Sequence, residues 1–135
     1  MPRLTAAGAF EVTLTPLSLD PPADDAARGR MRLSKRFHGG LDATGAGEML
    51  TGMGAVAGSA AYVAIERITG SLDGRSGSFL VVHRGVMTRG APDLLVSIVP
   101  DSGTGELAGI EGTLTLIVAA GRHDYRIDAT VPDAA

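Results

Sequence analysis

The apolar positions of this chain recur every second residue rather than every third or fourth, which is the spacing of strands and not of helices. The clearest case is the stretch 62–83 (YVAIERITGSLDGRSGSFLVVH), which runs out and back around Asp73-Gly74. Glycine accepts the positive φ of a type I′ turn, so this dipeptide predicts a two-residue hairpin. Such a turn sets Leu72 opposite Arg75, Ile68 opposite Phe79, Glu66 opposite Val81 and Ala64 opposite His83. Side chains alternate faces along a strand. Tyr62, Glu66 and His83 therefore fall on one face, with Ile68, Phe79 and Val81 around them. A bulge near Ser76-Gly77 would instead turn His83 outward.

The same period appears elsewhere. Phe10, Val12 and Leu14 alternate with Glu11, Thr13 and Thr15. Residues 16–29, with Pro21-Pro22 and Asp24-Asp25, read as an irregular loop, either a connector or a lid. Met31, Leu33, Lys35 and Phe37 alternate with Arg32, Ser34, Arg36 and His38, and Gly39-Gly40 turns the chain. A return strand over about 41–50 is rich in small residues, and the glycine-rich stretch 51–58 is expected to be a loop. Residues 87–92 read as a connector, Leu94 to Val99 as a strand ended by Pro100, and 101–105 as a further loop. Leu114, Leu116 and Val118 pair across Ala120-Gly121 with Ile127, Tyr125 and His123, leaving Arg122, Asp124, Arg126 and Asp128 outside. This predicts an all-β chain of about eight mainly antiparallel strands in one domain, 1–135. A closed barrel removes sheet edges and encloses one small ligand, and a two-sheet sandwich is the alternative.

Composition narrows the function classes. The net charge is −3 and aromatic residues make up 4%, so neither the basic field nor the stacking platform of a nucleic-acid binder is present. The absence of cysteine removes disulfides, thiolate nucleophiles and Cys-based metal sites. The three histidines lack metal-ligand spacing. No run approaches the ~20 apolar residues of a membrane helix, and the N-terminus lacks a secretory apolar run, so a cytoplasmic location is expected. The second face of the hairpin is also apolar (Val63, Ile65, Leu80, Val82), which implies cover by a partner subunit or by the N-terminal loop, and a homo-oligomer is expected.

The candidate chemistry lies on the inner face. Desolvation disfavours charged forms and draws carboxyls and imidazoles toward the range useful for proton transfer. Glu66, His83 and Tyr62 therefore read either as an acid–base group or as a hydrogen-bonded cluster that fixes strand register. Lys35, between Leu33 and Phe37, reads as a base, a Schiff-base amine or a carboxylate anchor, or else as a lysine whose stem packs near the barrel mouth. Asp42 and Glu48 are its candidate partners, their direction depending on the Gly39-Gly40 turn. Tyr125 and His123 share the inner face of the last strand. The loop DSGTG at 101–105 lacks the Lys-Ser/Thr ending of a phosphate-binding P-loop, and no Gly-x-Ser-x-Gly elbow occurs.

Residues 32–41 (RLSKRFHGGL), 58–79 (GSAAYVAIERITGSLDGRSGSF), His83 and 99–112 (VPDSGTGELAGIEG) resemble a bacterial family of unassigned function with an allene oxide cyclase-like β-barrel fold. The resemblance spans nearly the whole chain. It implies an eight-stranded barrel, and relatives sharing that barrel hold a reactive apolar molecule, steer ring closure or coupling, and often self-associate. The combined expectation is a small-molecule-binding barrel, a cofactor-independent cyclase, isomerase or lyase for an apolar or polycyclic metabolite. The alternative is a noncatalytic carrier. Glu66, His83, Tyr62 and Lys35 would carry the chemistry, and Phe37, Glu48, Ile68, Phe79, Val81 and Tyr125 would line the ligand. No cofactor, metal, nucleic acid or membrane is expected as a partner.

Overall fold

A computed structural model describes residues 1–19, 21 and 27–133. It has eight strands: β1 (Arg3–Leu17), β2 (Arg28–Phe37), β3 (Leu41–Met53), β4 (Ala60–Leu72), β5 (Arg75–Thr88), β6 (Ala91–Ile98), β7 (Glu111–Ala119) and β8 (Arg122–Thr130). Each pairs antiparallel with its neighbours in chain order, and β8 closes on β1. The barrel is the expected one, and the sandwich is not formed. Asp73 and Gly74 take φ of 49° and 81°, as a type I′ turn requires. The β4–β5 register is the expected one, running unbroken from Ala60↔Met87 to Leu72↔Arg75, so no bulge turns His83 outward.

Several strands run further than their pattern implied. Thr51, Gly52 and Met53 extend β3, and Met87, Thr88, Ala91 and Pro92 belong to β5 and β6 rather than to a connector. The turn there is only Arg89-Gly90, both with positive φ. Pro16 and Leu17 lie in β1 and Arg28 and Gly29 in β2. Residues 20 and 22–26, the centre of the expected loop or lid, lie outside the described residues.

The two ends of the barrel differ. At one end, residues 99–110 fold across the opening. Ser102 Oγ accepts from Leu80 N–H at 3.0 Å, Thr104 Oγ1 from Ser78 N–H at 3.0 Å, and Glu106 Oε1 from Ser76 N–H at 3.2 Å. The polar side chains of this loop are thus spent on tying it to β5, and Leu107 and Ile110 are fully buried beneath it. With Phe37, Leu41, Ile68, Leu72, Phe79 and Ile127 they form a continuous packed floor. Tyr125 completes it, its hydroxyl donating to His38 C=O at 2.8 Å and accepting from Leu41 N–H at 3.0 Å. At the other end, the inward-facing Leu14, Met53, Met87, Leu94 and Val118 stay exposed, and among the described residues nothing closes the barrel.

Candidate functional site

Between floor and mouth the inner face turns polar, and the strand between two of the polar groups explains how they meet. Lys35 on β2 and Glu66 on β4 are separated by β3, whose inward residues at that level are Gly45 and Gly47. Without side chains in the way, Lys35 Nζ reaches Glu66 Oε1 across the strand at 3.2 Å. A Cβ at Gly45 would overlap Glu66 Oε2. The β4–β5 register then sets His83 diagonal to Glu66, and its Nε2 lies 2.9 Å from the same Oε1. His83 Nδ1 lies 3.1 Å from the Tyr62 hydroxyl.

The result is a chain of four groups, Lys35–Glu66–His83–Tyr62, running from the wall toward the mouth. Glu66 and His83 are fully buried and Lys35 nearly so, at 0%, 1% and 6% exposure. Glu66 Oε2 has no hydrogen-bond partner, which is costly for a buried carboxylate oxygen. The Lys35 ammonium also sits 5.1 Å and 5.7 Å from the Phe10 and Phe37 ring centroids, a cation–π setting. Burial pushes the Lys35 pKa below its usual value, against the opposing pull of Glu66. Burial, with the charge of Glu66, pushes the Tyr62 pKa up.

Tyr62 alone of the four lines the open mouth, a cavity of about 460 Å³ walled by Met49, Thr51, Met53, Gly85, Met87 and Leu94. That is the size of an ordinary small-molecule site. Gly85 sits opposite Tyr62 in the register, and a Cβ there would stand 2.5 Å from the Tyr62 ring. Gly85 therefore gives the ring the space it needs to lie toward His83. A larger depression of about 650 Å³ lies on the outer wall, bordered by Glu48, Leu50, Val63, Ile65 and Val82, and holds none of the four groups.

The four expected reactive residues are thus brought together, but the expected lining is not. Phe37, Ile68, Phe79, Val81 and Tyr125 are packed at 0–1% exposure and line no part of the mouth. Tyr125 is satisfied by backbone groups instead. Glu48 points outward and pairs with Arg30, and Asp42 likewise pairs with Arg36. Lys35 is held by Glu66 rather than facing open space. His123 is half-buried against the Phe10 ring, 5.3 Å between centroids. The residues that sequence reasoning missed are Gly45 and Gly85, which make room, and Met49, Met53, Met87 and Leu94, which form the wall. Small residues in β3 and a Tyr–Gly cross-strand pair were the available signals. Among the described residues, no group of three His, Asp or Glu side chains is placed to hold a metal ion.

Fold and site together define a closed, eight-stranded antiparallel barrel with a packed floor, an open apolar mouth and a buried ionic chain between them. Residues 6–128 match the family described as protein of unknown function (DUF3224), and the chain belongs to that family. It is similar to a crystal structure of a DUF3224 protein of unknown function from Shewanella oneidensis MR-1. The two share 43% identity and a TM-score of 0.90, over 98% of this chain and 100% of that one. No curated protein matches.

Proposed function

We propose that this protein binds an apolar organic molecule in the barrel mouth and acts on it by cofactor-independent acid–base chemistry, as a cyclase, isomerase or lyase. The observation that carries the reading is the buried chain of hydrogen-bonding groups whose one open end, Tyr62, lies at an apolar cavity of about 460 Å³. A base oriented by a carboxylate and bonded to a hydroxyl is the arrangement that moves protons in acyl-transfer triads. Here Glu66 fixes the His83 ring, and His83 takes the Tyr62 proton as Tyr62 takes one from the substrate. The reverse passage returns it elsewhere on the molecule. Lys35 offsets the Glu66 charge as His83 changes protonation. The methionine-lined wall holds one conformer of the substrate.

The rival is a carrier that uses the same mouth without turnover. The two part at Glu66→Gln, once a ligand has been recovered from a metabolite extract by native mass spectrometry. For an enzyme we expect a turnover loss on the order of 10²–10⁴-fold with little change in affinity. Unchanged turnover would remove Glu66 from the mechanism, and a change in affinity alone would favour the carrier.

Self-association belongs to the same reading. Leu50, Val63, Ile65, Val82 and Leu95 form an outer stripe, each between 36% and 54% exposed. The ion pairs beside it, Arg30–Glu48 and Arg84–Asp93, are neutral in themselves, which leaves the exposed Arg67 as the charge a second copy has to accommodate. We expect light scattering at micromolar concentration to show an oligomer that Ile65→Glu returns to monomer. A wild-type monomer would defeat the idea.

A further inference from the structure

We infer that the mouth selects a neutral molecule presenting a hydroxyl donor, an alcohol or a phenol, and turns away carboxylates and phosphates. This rests on the reading of the mouth as the ligand site, and goes on to the chemistry of its occupant.

The direction of the hydrogen bonds leads there. Glu66 Oε1 faces two nitrogen groups at once, Lys35 Nζ at 3.2 Å and His83 Nε2 at 2.9 Å. Beside an ammonium that oxygen is an acceptor, so Nε2 carries hydrogen. The opposite tautomer would set a nitrogen lone pair against the carboxylate. In the neutral imidazole His83 Nδ1 is then the acceptor, and the Tyr62 O–H donates to it. With its one hydrogen spent on His83, the Tyr62 oxygen has only lone pairs left for a ligand. A ligand O–H satisfies them. A carbonyl, carboxylate or phosphate oxygen would set lone pair against lone pair.

The charges agree. The described residues that line the mouth include no lysine or arginine. Lys35 is buried and held by Glu66. Asp93 stands at the rim, and its nearest cation, Arg84, is 3.7 Å away on the outer wall. An anion entering here would give up water with no cation among the described lining residues to replace it. The remaining wall includes Met49, Met53 and Met87, three of the five methionines in the chain. Thioethers adapt to irregular shapes and make favourable contacts with ring edges, so an aryl alcohol fits better than a bare alkyl one.

The test compares naphthol, methoxynaphthalene and naphthoate at neutral pH, by protein-observed NMR titration. It uses the wild type, Tyr62→Phe and a mouth-filling Met87→Trp variant, each checked for fold by circular dichroism. We expect naphthol to bind about three- to tenfold more tightly than methoxynaphthalene, the size of one net hydrogen bond. Naphthoate should bind at least tenfold more weakly than naphthol. In Tyr62→Phe, naphthol should fall to the level of methoxynaphthalene. Naphthoate binding as well as naphthol, or a naphthol preference that survives Tyr62→Phe, would overturn the selectivity while leaving the mouth as a site. Binding of all three unaltered by Met87→Trp, or no binding at all, would overturn the mouth site itself and the selectivity with it.

Discussion

Lys35→Met should cost about 3–5 kcal/mol of folding stability, measured by urea unfolding followed by far-UV circular dichroism. Methionine matches the volume of the lysine stem and suits the Phe10 and Phe37 rings, so packing alone would lose little. The loss comes from Glu66. Its carboxylate is fully buried, its Oε2 already lacks a partner, and without Lys35 its charge would face only His83. The double variant Lys35→Met/Glu66→Gln should recover most of the loss, because a neutral amide carbonyl still accepts from His83 and no charge remains to be compensated. The pH dependence reports the opposing contribution, the cost of burying the ammonium itself. Lys35 titrates below its usual 10.5 in the folded chain, so the penalty for burying its charge is fully present below the folded pKa. It is relieved as pH rises from there toward the unfolded value. Wild-type stability should therefore gain from Lys35 across that window, and Lys35→Met should lack the gain. A single-variant loss below about 1 kcal/mol, with no coupling in the double variant, would mean that the pair is not buried together as described.

That pair also marks how far the sequence can be read. Lys35 stood out because it interrupts an apolar face, and Asp73-Gly74 set the hairpin register that carries Tyr62, Glu66 and His83 to one side. Both signals are local: a period of two and a turn that demands positive φ. What joins Lys35 to Glu66 is not local. It depends on Gly45 and Gly47 in the strand between them, and a glycine in a strand looks the same in sequence whether it makes a bulge, a turn or a space. The mouth was missed for a related reason. Met53 and Met87 border stretches whose glycine and proline content reads as a loop, so the ends of β3, β5 and β6 appeared shorter than they are. The cavity was consequently placed too deep, among Phe37, Ile68, Phe79, Val81 and Tyr125, which close packing fills. Glu48 faces outward because Phe37 pairs with Ala43 across the turn, which puts the even-numbered residues of β3 outside.

The division between floor and mouth makes the second large effect specific. Phe37→Ala should cost about 3–5 kcal/mol, while Met53→Ala, a truncation at the mouth, should stay within about 0.5 kcal/mol. Phe37 is fully buried, lies edge-on to Tyr125 with ring centroids 5.4 Å apart, and contacts Phe10 at 5.8 Å. Removing it opens a cavity in a floor that Leu41, Leu72, Leu107 and Ile110 cannot easily collapse to fill, because strand pairing and the tied loop 99–110 hold them apart. Met53 is 65% exposed and buries little that its removal would return to water. The contrast also bears on where a ligand sits. If the floor were the binding cavity, Phe37→Ala would act mainly on affinity and the fold would tolerate it. If the floor is core and the mouth is the site, stability belongs to Phe37, and binding belongs to Tyr62 and the methionines. Comparable losses at both positions would mean that the mouth closes on itself as a second core, and the site would then have to lie elsewhere on the barrel.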